Sequence, residues 1–328
     1  MPYPWQQRQW EQLNSAAAAG RLPHAMLLSG AEGAGLTEFA EALIATLLCT
    51  QATAFEPCGE CKSCILHRAG NHPDFMRVEP EEKGKQIKVD PIRELIDYIH
   101  LKSQYGRYKL AMINPAEAMN RSSANSLLKT LEEPPAGSLI ILVCHQPAKL
   151  PITIRSRCQQ IIMSAGQEQA LAWLGEQLAN ADVDPELLLE SSQGGPLKAL
   201  EFFQNNSAQQ QGALLDDLKD LRQKKADPIK IAEKWQEIGP VEVIQWLLLF
   251  FARMIRLKLA TPAQENNKSI INRQLQQLIN GLDLAQLFTC YDVVLKNHHA
   301  INGTISLNKQ GLLEDIILQW QSLTETRS

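Results

Sequence analysis

The chain has 328 residues, of which 45% are apolar and 21% are charged, and its formal net charge is −4. This length allows two or three domains with sizeable cores, and the slightly acidic balance excludes a protein that binds nucleic acid through its overall charge. No apolar run reaches the roughly 18 residues that span a bilayer, and residues 1–20 lack the apolar segment of a signal peptide, so we expect a cytosolic protein without membrane contacts.

The first half of the chain alternates short apolar runs with helical patterns, which is typical of a parallel sheet with crossover helices. The first predicted strand, 25–29, runs into a glycine-rich stretch that precedes a helical pattern at 37–50. Further strands are predicted at 74–78, 109–113 and 139–143, and further helices at 91–101 and 122–131.

After about residue 165 only helical patterns remain. Short helices are predicted at 168–177, 185–190 and 197–203, and helical periodicity then continues from 208, with breaks at Gly239-Pro240 and around 260–267. These patterns predict an α/β domain at 1–165, a small helical domain at 166–207 and an all-helical domain at 208–328.

Four of the seven cysteines lie close together, three of them at two-residue spacing. Thiolates of Cys49, Cys58, Cys61 and Cys64 suit a tetrahedral Zn²⁺ site, and four protein ligands leave no open position, so the predicted site is structural. His67 is an alternative to Cys49 as the fourth ligand. The sequence therefore predicts a zinc module at 49–64.

Two other interpretations of the cysteine cluster stay open. An iron–sulfur cluster also uses C-x₂-C-x₂-C spacing, but the bacterial ferredoxin run continues x₃-C-P and this one does not. The thiols are otherwise simply buried. The remaining cysteines and two N-terminal tryptophans are predicted to be core residues: Cys144, Cys158, Cys290, Trp5 and Trp10.

The glycine-rich stretch at 30–37 reads GAEGAGLT. A phosphate-binding loop has the pattern G-x-x-x-x-G-K-[ST], in which backbone N–H groups cradle phosphates and the lysine reaches their outer oxygens. Gly30, Gly35 and Thr37 fit this pattern, but Leu36 stands in the place of the lysine. We predict a degenerate phosphate loop that holds no ATP, or holds it weakly.

Residues 125–158 carry a longer signature, NSLLKTLEEPPAGSLIILVCHQPAKLPITIRSRC. It resembles the ATPase-like AAA+ subunits of bacterial DNA polymerase clamp loaders, as do PHAMLLSG at 23–30, NKQGLLEDIILQW at 308–320 and the position of the cysteines. The resemblance implies an AAA+-like α/β P-loop domain with a parallel sheet and an inserted zinc module. A small helical lid domain and an all-α collar domain that joins the subunits would follow.

Three positions depart from the motor subunits of that family. The motors carry a lysine in the loop, Asp-Glu at the end of a following strand and an arginine in a later sensor segment, where this chain has Leu36, Asn114-Pro115 and Leu197. Mg²⁺ needs a carboxylate in its shell, and phosphoryl transfer needs cationic stabilisation. We therefore expect no ATPase activity of this chain alone. Glu117 lies nearby and is expected to be a solvated residue.

The terminal S-R-C of the signature contains Arg157. The resemblance implies that this arginine acts in trans, as a finger that stabilises charge on the γ-phosphate in a neighbouring subunit. The alternative is an ordinary surface or salt-bridged arginine. The implied partners are one delta and three motor (gamma or tau) subunits, with the sliding clamp and primer–template DNA reached through the complex.

Several charged residues near the signature receive weaker predictions. Arg121 and Lys129 either face a DNA-receiving chamber or belong to a solvated helix face, and Glu132 and Glu133 are expected to pack or to contact another subunit. Two other classes of function stay open: a catalytically active P-loop ATPase, and a zinc-dependent DNA-binding module.

Overall fold

A five-stranded α/β sheet organises the first half of the chain, as the alternation of strand and helix patterns predicted. The strands lie side by side in the order second, third, fourth, first, fifth, and every neighbouring pair is parallel. In chain order they are Ala25–Gly30 (β1), Phe75–Val78 (β2), Lys109–Ile113 (β3), Ser138–Cys144 (β4) and Gln159–Met163 (β5). Four of them confirm the predicted strands, and β5 was not predicted.

The computed structural model describes residues 2–53, 55–82, 84–106, 108–178, 183–192, 194–205, 208–259, 270–301 and 308–323. The predicted break at 260–267 lies outside these residues. The break at Gly239 is confirmed, because one helix ends at Ile238 and the next begins at Pro240.

The described residues form helices at all the positions that the periodicity predicted, with ends shifted by one or two residues. The helices are Gln7–Ala18 (α1), Leu36–Leu48 (α2), Lys62–Arg68 (α3), Val89–Ile99 (α4), Arg121–Glu132 (α5), Ile152–Arg155 (α6), Gln167–Gln177 (α7), Pro185–Ser191 (α8), Pro196–Asn205 (α9), Ala208–Arg222 (α10), Pro228–Ile238 (α11), Pro240–Leu259 (α12), Ile270–Ile279 (α13), Leu284–Ile301 (α14) and Lys309–Ser322 (α15). Single 3₁₀ turns occur at Pro4–Gln6, Ala116–Ala118 and Pro147–Lys149. Helix α1 and the short helices α3 and α6 were not predicted.

Both faces of the sheet are covered by helices. Successive strand residues point to opposite faces, so Leu27 packs against one apolar cluster and its neighbours Met26 and Leu28 against the other. Helices α4, α5 and α6 cover the first face, and α1 and α2 cover the second. The central strands are therefore buried on both sides, which explains their continuous apolar runs.

The chain divides into two compact units. The first contains Met1–Trp173 and Gly194–Leu197, and the second contains Leu174–Gln193 and Lys198–Ser328. The three-domain division at residues 165 and 207 stays a prediction.

The second unit is built around α12. This helix buries eleven of its residues, and its Phe251 ring lies 5.3 Å from the ring of Trp320 on α15. The Trp320 indole N–H donates to the Leu218 carbonyl of α10 at 2.8 Å, so three helices meet at one buried tryptophan.

No single helix among the described residues has the length and apolar character needed to cross a membrane. Two bent helix pairs, Pro228–Ile238 with Pro240–Leu259 and Arg273–Ile279 with Leu284–Ile301, meet the criteria of length and composition only when taken together.

A buried carboxylate fixes the segment that leads into β3. Asp74 is fully buried and accepts hydrogen bonds from Ser103 Oγ at 2.9 Å, Gln104 N at 2.8 Å and Tyr105 N at 2.7 Å, with Lys109 Nζ at 3.4 Å. Burial alone would raise the pKa of Asp74, but these donors outweigh it and hold the pKa below its usual range. The carboxylate therefore favours the folded state wherever it is ionised.

We expect Asp74→Asn to lower the free energy of unfolding at neutral pH by about 3 kcal/mol, because it leaves the buried Lys109 ammonium without its counter-charge. The folded-state pKa of Asp74 lies below the unfolded value, so its contribution is complete above about pH 4 and is lost as the pH falls through the folded-state pKa. Denaturant unfolding of both proteins at pH 7 and pH 3 measures this, and the gap should narrow at the lower pH. An equal gap at both pH values would contradict the assignment.

Candidate functional site

The predicted phosphate loop joins β1 to α2, in the strand–loop–helix order that its pattern requires. A Cβ on Gly30 would lie 2.2 Å from the Met163 carbonyl oxygen of β5, so only glycine fits at the end of β1. Gly35 is the N-cap of α2 at φ 78°, a left-handed conformation that also favours glycine. The two glycines of the pattern are thus required by the backbone geometry of the loop.

The lysine position of the loop is turned into the core. Leu36 is the first residue of α2 and is only 1% exposed, within the apolar cluster that includes Met26 and Phe39. An apolar side chain in this position donates nothing to a phosphate. Leu36, which stands where the motor pattern has a lysine, therefore serves the packing of the core.

The hydroxyl and the amide of the pattern contact each other. Asn114 Nδ2 lies 3.3 Å from Thr37 Oγ1 and donates to it. In a phosphate loop this hydroxyl holds Mg²⁺, and a carboxylate at the end of another strand of the sheet assists. Here the residue at the end of β3 is a neutral amide, Asn114, and it is hydrogen-bonded to the Thr37 hydroxyl. The site therefore offers a divalent cation no carboxylate ligand at this position.

The N-terminal segment packs directly on the loop. Gln6 is fully buried, and its Nε2 donates to the carbonyls of Ala34 at 2.9 Å and Gly35 at 2.7 Å. The Trp5 indole also donates to the Ala34 carbonyl at 2.9 Å. A Cβ on Gly35 would lie 2.7 Å from the ring of Tyr3. Side chains of the same chain therefore hold the loop from outside.

Both N-terminal tryptophans pack as anchors, as predicted. Trp5 stacks on Tyr3 with ring centroids 5.1 Å apart and meets Trp173 edge-on at 5.5 Å. Trp10 packs edge-on against Phe39 of α2 at 5.3 Å. Neither ring is arranged as an open stacking platform.

The segment 194–197 also contacts the loop. The Leu197 N–H donates to the Gly33 carbonyl at 3.0 Å, and a Cβ on Gly195 would lie 1.9 Å from the Glu32 carbonyl oxygen. The sensor position is thus close to the loop, and it carries the apolar Leu197 where the motor pattern has an arginine.

Glu117 is not the solvated residue that the sequence suggested. Its Oε1 accepts the backbone N–H groups of His145 at 2.9 Å and Gln146 at 3.0 Å, and its Oε2 is buried. The carboxylate follows β3 and binds the chain that leaves β4, so it ties two neighbouring strand ends together. No signal in the sequence indicated this contact, because the residues are 28 and 29 positions apart.

We expect that Leu36→Lys will not create tight ATP binding, because Asn114 and Leu197 still withhold the carboxylate and the arginine. A lysine in this apolar position should lower the free energy of unfolding by about 3 kcal/mol. Equilibrium dialysis with Mg²⁺ and ATP, together with denaturant unfolding, measures both effects. Leu36→Met is the matched control and should cost less than about 1.5 kcal/mol. Tight Mg²⁺-dependent binding by the lysine variant would contradict this expectation.

The second candidate site is the four-cysteine cluster, Cys49, Cys58, Cys61 and Cys64. Its Sγ atoms lie 3.5 Å apart for Cys49 and Cys58, 3.9 Å for Cys49 and Cys61 and 4.0 Å for Cys58 and Cys64, and all four lie within 4.8 Å of one another. Four sulfurs at about 2.3 Å from a tetrahedral ion are about 3.8 Å apart. The cluster could therefore hold a metal ion without large rearrangement.

Backbone N–H groups point at the sulfurs of the cluster. The N–H of Cys58 lies 3.3 Å from Cys49 Sγ, that of Cys61 lies 3.4 Å from Cys58 Sγ, and that of Cys64 lies 3.5 Å from Cys61 Sγ. A hydrogen bond with the Thr50 side chain, followed by those from backbone N–H groups, lowers the pKa of Cys61 to about 5 despite partial burial. Burial raises the pKa of Cys64 to about 12. A bound cation would draw this last proton off, since thiolates are the ligands.

His67 lies outside the cluster, so Cys49 is the better fourth ligand. The His67 Nε2 lies 3.8 Å from Glu41 Oε2, and its ring meets Phe75 edge-on at 5.5 Å. The pKa of His67 is lowered mainly by burial and further by the nearby charges of His72 and Arg77. The imidazole therefore packs beside the cysteine module and does not join the group formed by its four sulfur atoms.

A buried hydrogen-bond chain that the sequence did not indicate anchors the cysteine module. Ser63 Oγ lies 2.6 Å from His72 Nε2 and 2.6 Å from the Leu48 carbonyl. The Asp74 N–H donates to His72 Nδ1 at 3.0 Å, so in the neutral ring Nε2 carries the proton and donates to Ser63, which donates to Leu48. Ser63 is therefore not activated as a nucleophile. The hydrogen bond from Ser63 to the Leu48 carbonyl links α3 to the end of α2.

The other three cysteines are buried, as predicted. Cys144 and Cys158 belong to one apolar cluster of the first unit, and Cys290 lies in the second unit. Burial raises the pKa of each of these thiols to about 12, so they are unreactive near neutral pH.

Arg157 lies just after α6, at the surface of the first unit. Its side chain is 32% exposed, and its Nε donates to Glu132 Oε1 at 2.7 Å, a contact that Nη2 shares. Its Nη1 donates to the Thr153 carbonyl at 2.9 Å. The arginine is therefore salt-bridged in this chain, as the alternative interpretation allowed, and its guanidinium is held in one orientation.

Three further charged residues in or near the signature lie on the surface. Arg121, Lys129 and Glu133 are exposed on α5 and just after it. Their placement agrees equally with a solvated helix face and with a contact surface.

The fold and this loop define a class: an α/β protein of the P-loop type whose own phosphate site lacks the cation and the carboxylate of its pattern. The family models described as "DNA polymerase III, delta subunit" and "DNA polymerase III, delta subunit, C terminal" match residues 5–167 and 205–322.

Curated relatives narrow this class to one family. The DNA polymerase III subunit delta' of Pseudomonas aeruginosa is 34% identical over 98% of both chains, and that of Yersinia pestis is 30% identical over 99% of this chain and 96% of the other. A DNA polymerase III subunit tau/gamma of Haemophilus influenzae is 38% identical over 46% of this chain and 22% of the other. The chain belongs to the DNA polymerase III delta-prime subunit family.

Proposed function

We propose that this chain is a non-motor subunit of a clamp loader and that it supplies Arg157 to the ATP site of a neighbouring motor subunit. The observation that carries the proposal is a contrast within one unit. The lysine position of the chain's own phosphate loop is a buried leucine, whereas the guanidinium of Arg157 is held by hydrogen bonds at the surface. A subunit that lacks its own catalytic cation and offers one outward is suited to assist a neighbour.

The chemistry of arginine supports this role. The guanidinium stays charged at any physiological pH and matches the geometry of phosphate oxygens, so it stabilises the charge that spreads over the γ-phosphate during transfer. Gly30, Gly35 and Thr37 then form a loop that keeps its ancestral shape without holding ATP. The partial match to a tau/gamma relative agrees with a motor neighbour of related fold.

We also propose that the four-cysteine cluster binds Zn²⁺ and that the ion is structural. The donor set is sulfur alone, which favours Zn²⁺ over hard cations, and four ligands complete a tetrahedron. When bound, the ion would supply charge neutralisation and crosslinking of the module, with no open position for a substrate.

The partners in this proposal are the delta and the gamma or tau subunits of the loader. The proposal includes the three-domain division that the resemblance implies, with a lid at 166–207 and a collar at 208–328 that joins the subunits. The sliding clamp and primer–template DNA would be reached through the complex, in a cytosolic setting. The test is ATP hydrolysis by the reconstituted complex, with wild-type chain and with Arg157→Ala; equal rates would overturn the proposed role.

A further inference from the structure

We propose that Glu132 is a positioning residue for Arg157: it holds the guanidinium through Nε and Nη2 in one orientation at the surface, from which the remaining N–H groups can reach a phosphate. This inference rests on the proposed function of Arg157. It assigns a specific task to a residue that otherwise resembles an ordinary exposed carboxylate at the end of α5.

The hydrogen bonds of Arg157 show which donors remain. The guanidinium has five N–H groups. Nε and Nη2 both donate to Glu132 Oε1, and Nη1 donates to the Thr153 carbonyl at 2.9 Å, with Ser156 Oγ at 3.5 Å as a marginal further acceptor. Glu132 therefore occupies the side of the guanidinium that contains Nε. One N–H of Nη2 stays available, and so does one of Nη1 once the marginal contact to Ser156 is exchanged for a stronger acceptor.

This remaining pair suits the proposed ligand. Two parallel N–H groups at the end of a guanidinium match two oxygens of one phosphate group, which is the bidentate geometry that makes arginine selective for phosphate. The Glu132 carboxylate neutralises the charge of the guanidinium only partly, because the ion pair is open to solvent and the Glu132 side chain is 49% exposed.

The backbone segments that carry Glu132 and Arg157 are both anchored in the core. Glu132 directly follows Leu131, which is 1% exposed, and Arg157 lies between Ile154, which is buried, and Cys158, which is 8% exposed. Both apolar neighbourhoods belong to the same cluster beneath the sheet. The carboxylate and the guanidinium thus approach from two anchored backbones, and only their tips are free to adjust.

An exposed ion pair of this kind contributes little to stability, typically below about 1 kcal/mol. Loss of Glu132 should therefore leave the fold and the assembly intact while it releases the guanidinium to sample many orientations. A small misplacement of a catalytic group lowers a rate by up to about 100-fold. The effect is expected on the maximal rate and not on the Michaelis constant, because the orientation matters most when the γ-phosphate charge develops.

The experiment uses the complete reconstituted loader and measures kcat and KM for ATP in single-turnover and steady-state assays. We expect Glu132→Ala to lower kcat at the site next to this chain about tenfold or more with KM nearly unchanged. Glu132→Gln keeps an acceptor oxygen and should restore part of the rate. Glu94→Gln is the matched control, because this carboxylate is exposed on α4 and is not a hydrogen-bond partner of Arg157; it should behave as wild type.

A double variant separates positioning from an independent effect. In an Arg157→Ala background, Glu132→Ala should cause no further loss, since the residue acts only through the guanidinium. Additive losses, or a normal or raised kcat in Glu132→Ala while Arg157→Ala is defective, would overturn this inference alone. A wild-type rate in Arg157→Ala would overturn the proposed function, and this inference with it.

Discussion

Arg157→Ala is expected to slow ATP hydrolysis at the neighbouring motor site by about 10³-fold, the lower range of what arginine fingers contribute. The reason is that, in the proposed role, Arg157 is the fixed cation that faces the γ-phosphate of the neighbouring subunit. In the proposed complex with three motor subunits only one ATP site borders this chain, so the change should appear as the loss of one site's share of the single-turnover amplitude.

The controls for Arg157 address stability and charge. Since Arg157 pairs with Glu132 at the surface, its removal should leave the midpoint of unfolding and the assembly of the complex unchanged. Arg157→Lys keeps the charge but not the paired donors and should recover only a small part of the rate. Arg93→Ala removes an equally charged side chain that is paired with Asp90 on an exposed helix face and should have no effect. A full single-turnover amplitude in Arg157→Ala would contradict the trans role.

Removing the Zn²⁺ that we propose for the four-cysteine cluster is expected to have the largest effect on stability. The ion would join the end of α2 to α3, and a ligand set that loses its metal leaves four thiols in close contact without compensation. We expect Cys61→Ser to lower metal affinity by more than the roughly 10- to 100-fold that loss of a supporting contact costs. The free energy of unfolding of the module should fall by several kcal/mol.

Metal content per chain and hydrogen exchange across 49–68 measure these effects. Cys290→Ser is the matched control, because that thiol is buried in the second unit and should leave the metal content at one ion per chain. Freshly purified wild-type protein without bound metal would contradict the zinc assignment. Iron with visible charge-transfer absorption would instead favour the iron–sulfur alternative.

The elements that the sequence predicted well are those whose environment is uniform. Strands β1, β3 and β4 are buried on both faces, so their apolar runs were continuous and easily recognised. Strand β5 was missed because only Met163 of its five residues is buried and its first two residues are exposed glutamines, so its apolar run is too short to stand out. The seven-residue helix α3 was missed because its cysteines and histidine follow the demands of the module and not an apolar period.

The candidate sites show a similar division. Local spacing identified the four-cysteine cluster, the glycine loop and the departures at Leu36 and Asn114, because these depend on residue types at fixed separations. The contact between Glu132 and Arg157 joins residues 25 positions apart, and the bonds from Glu117 join residues 28 and 29 apart. Such contacts depend on how α5, α6 and the strand ends are placed, which no local pattern in one sequence contains.

The most direct measurement is a structure of the assembled loader bound to a non-hydrolysable ATP analogue. We expect an Nη atom of Arg157 to lie about 2.7–2.9 Å from a γ-phosphate oxygen of the neighbouring subunit, with Glu132 still on the Nε side and no nucleotide at residues 30–37 of this chain. Arg157 remote from every γ-phosphate, or Mg²⁺ and ATP seated on Gly35 and Thr37, would contradict the proposed role.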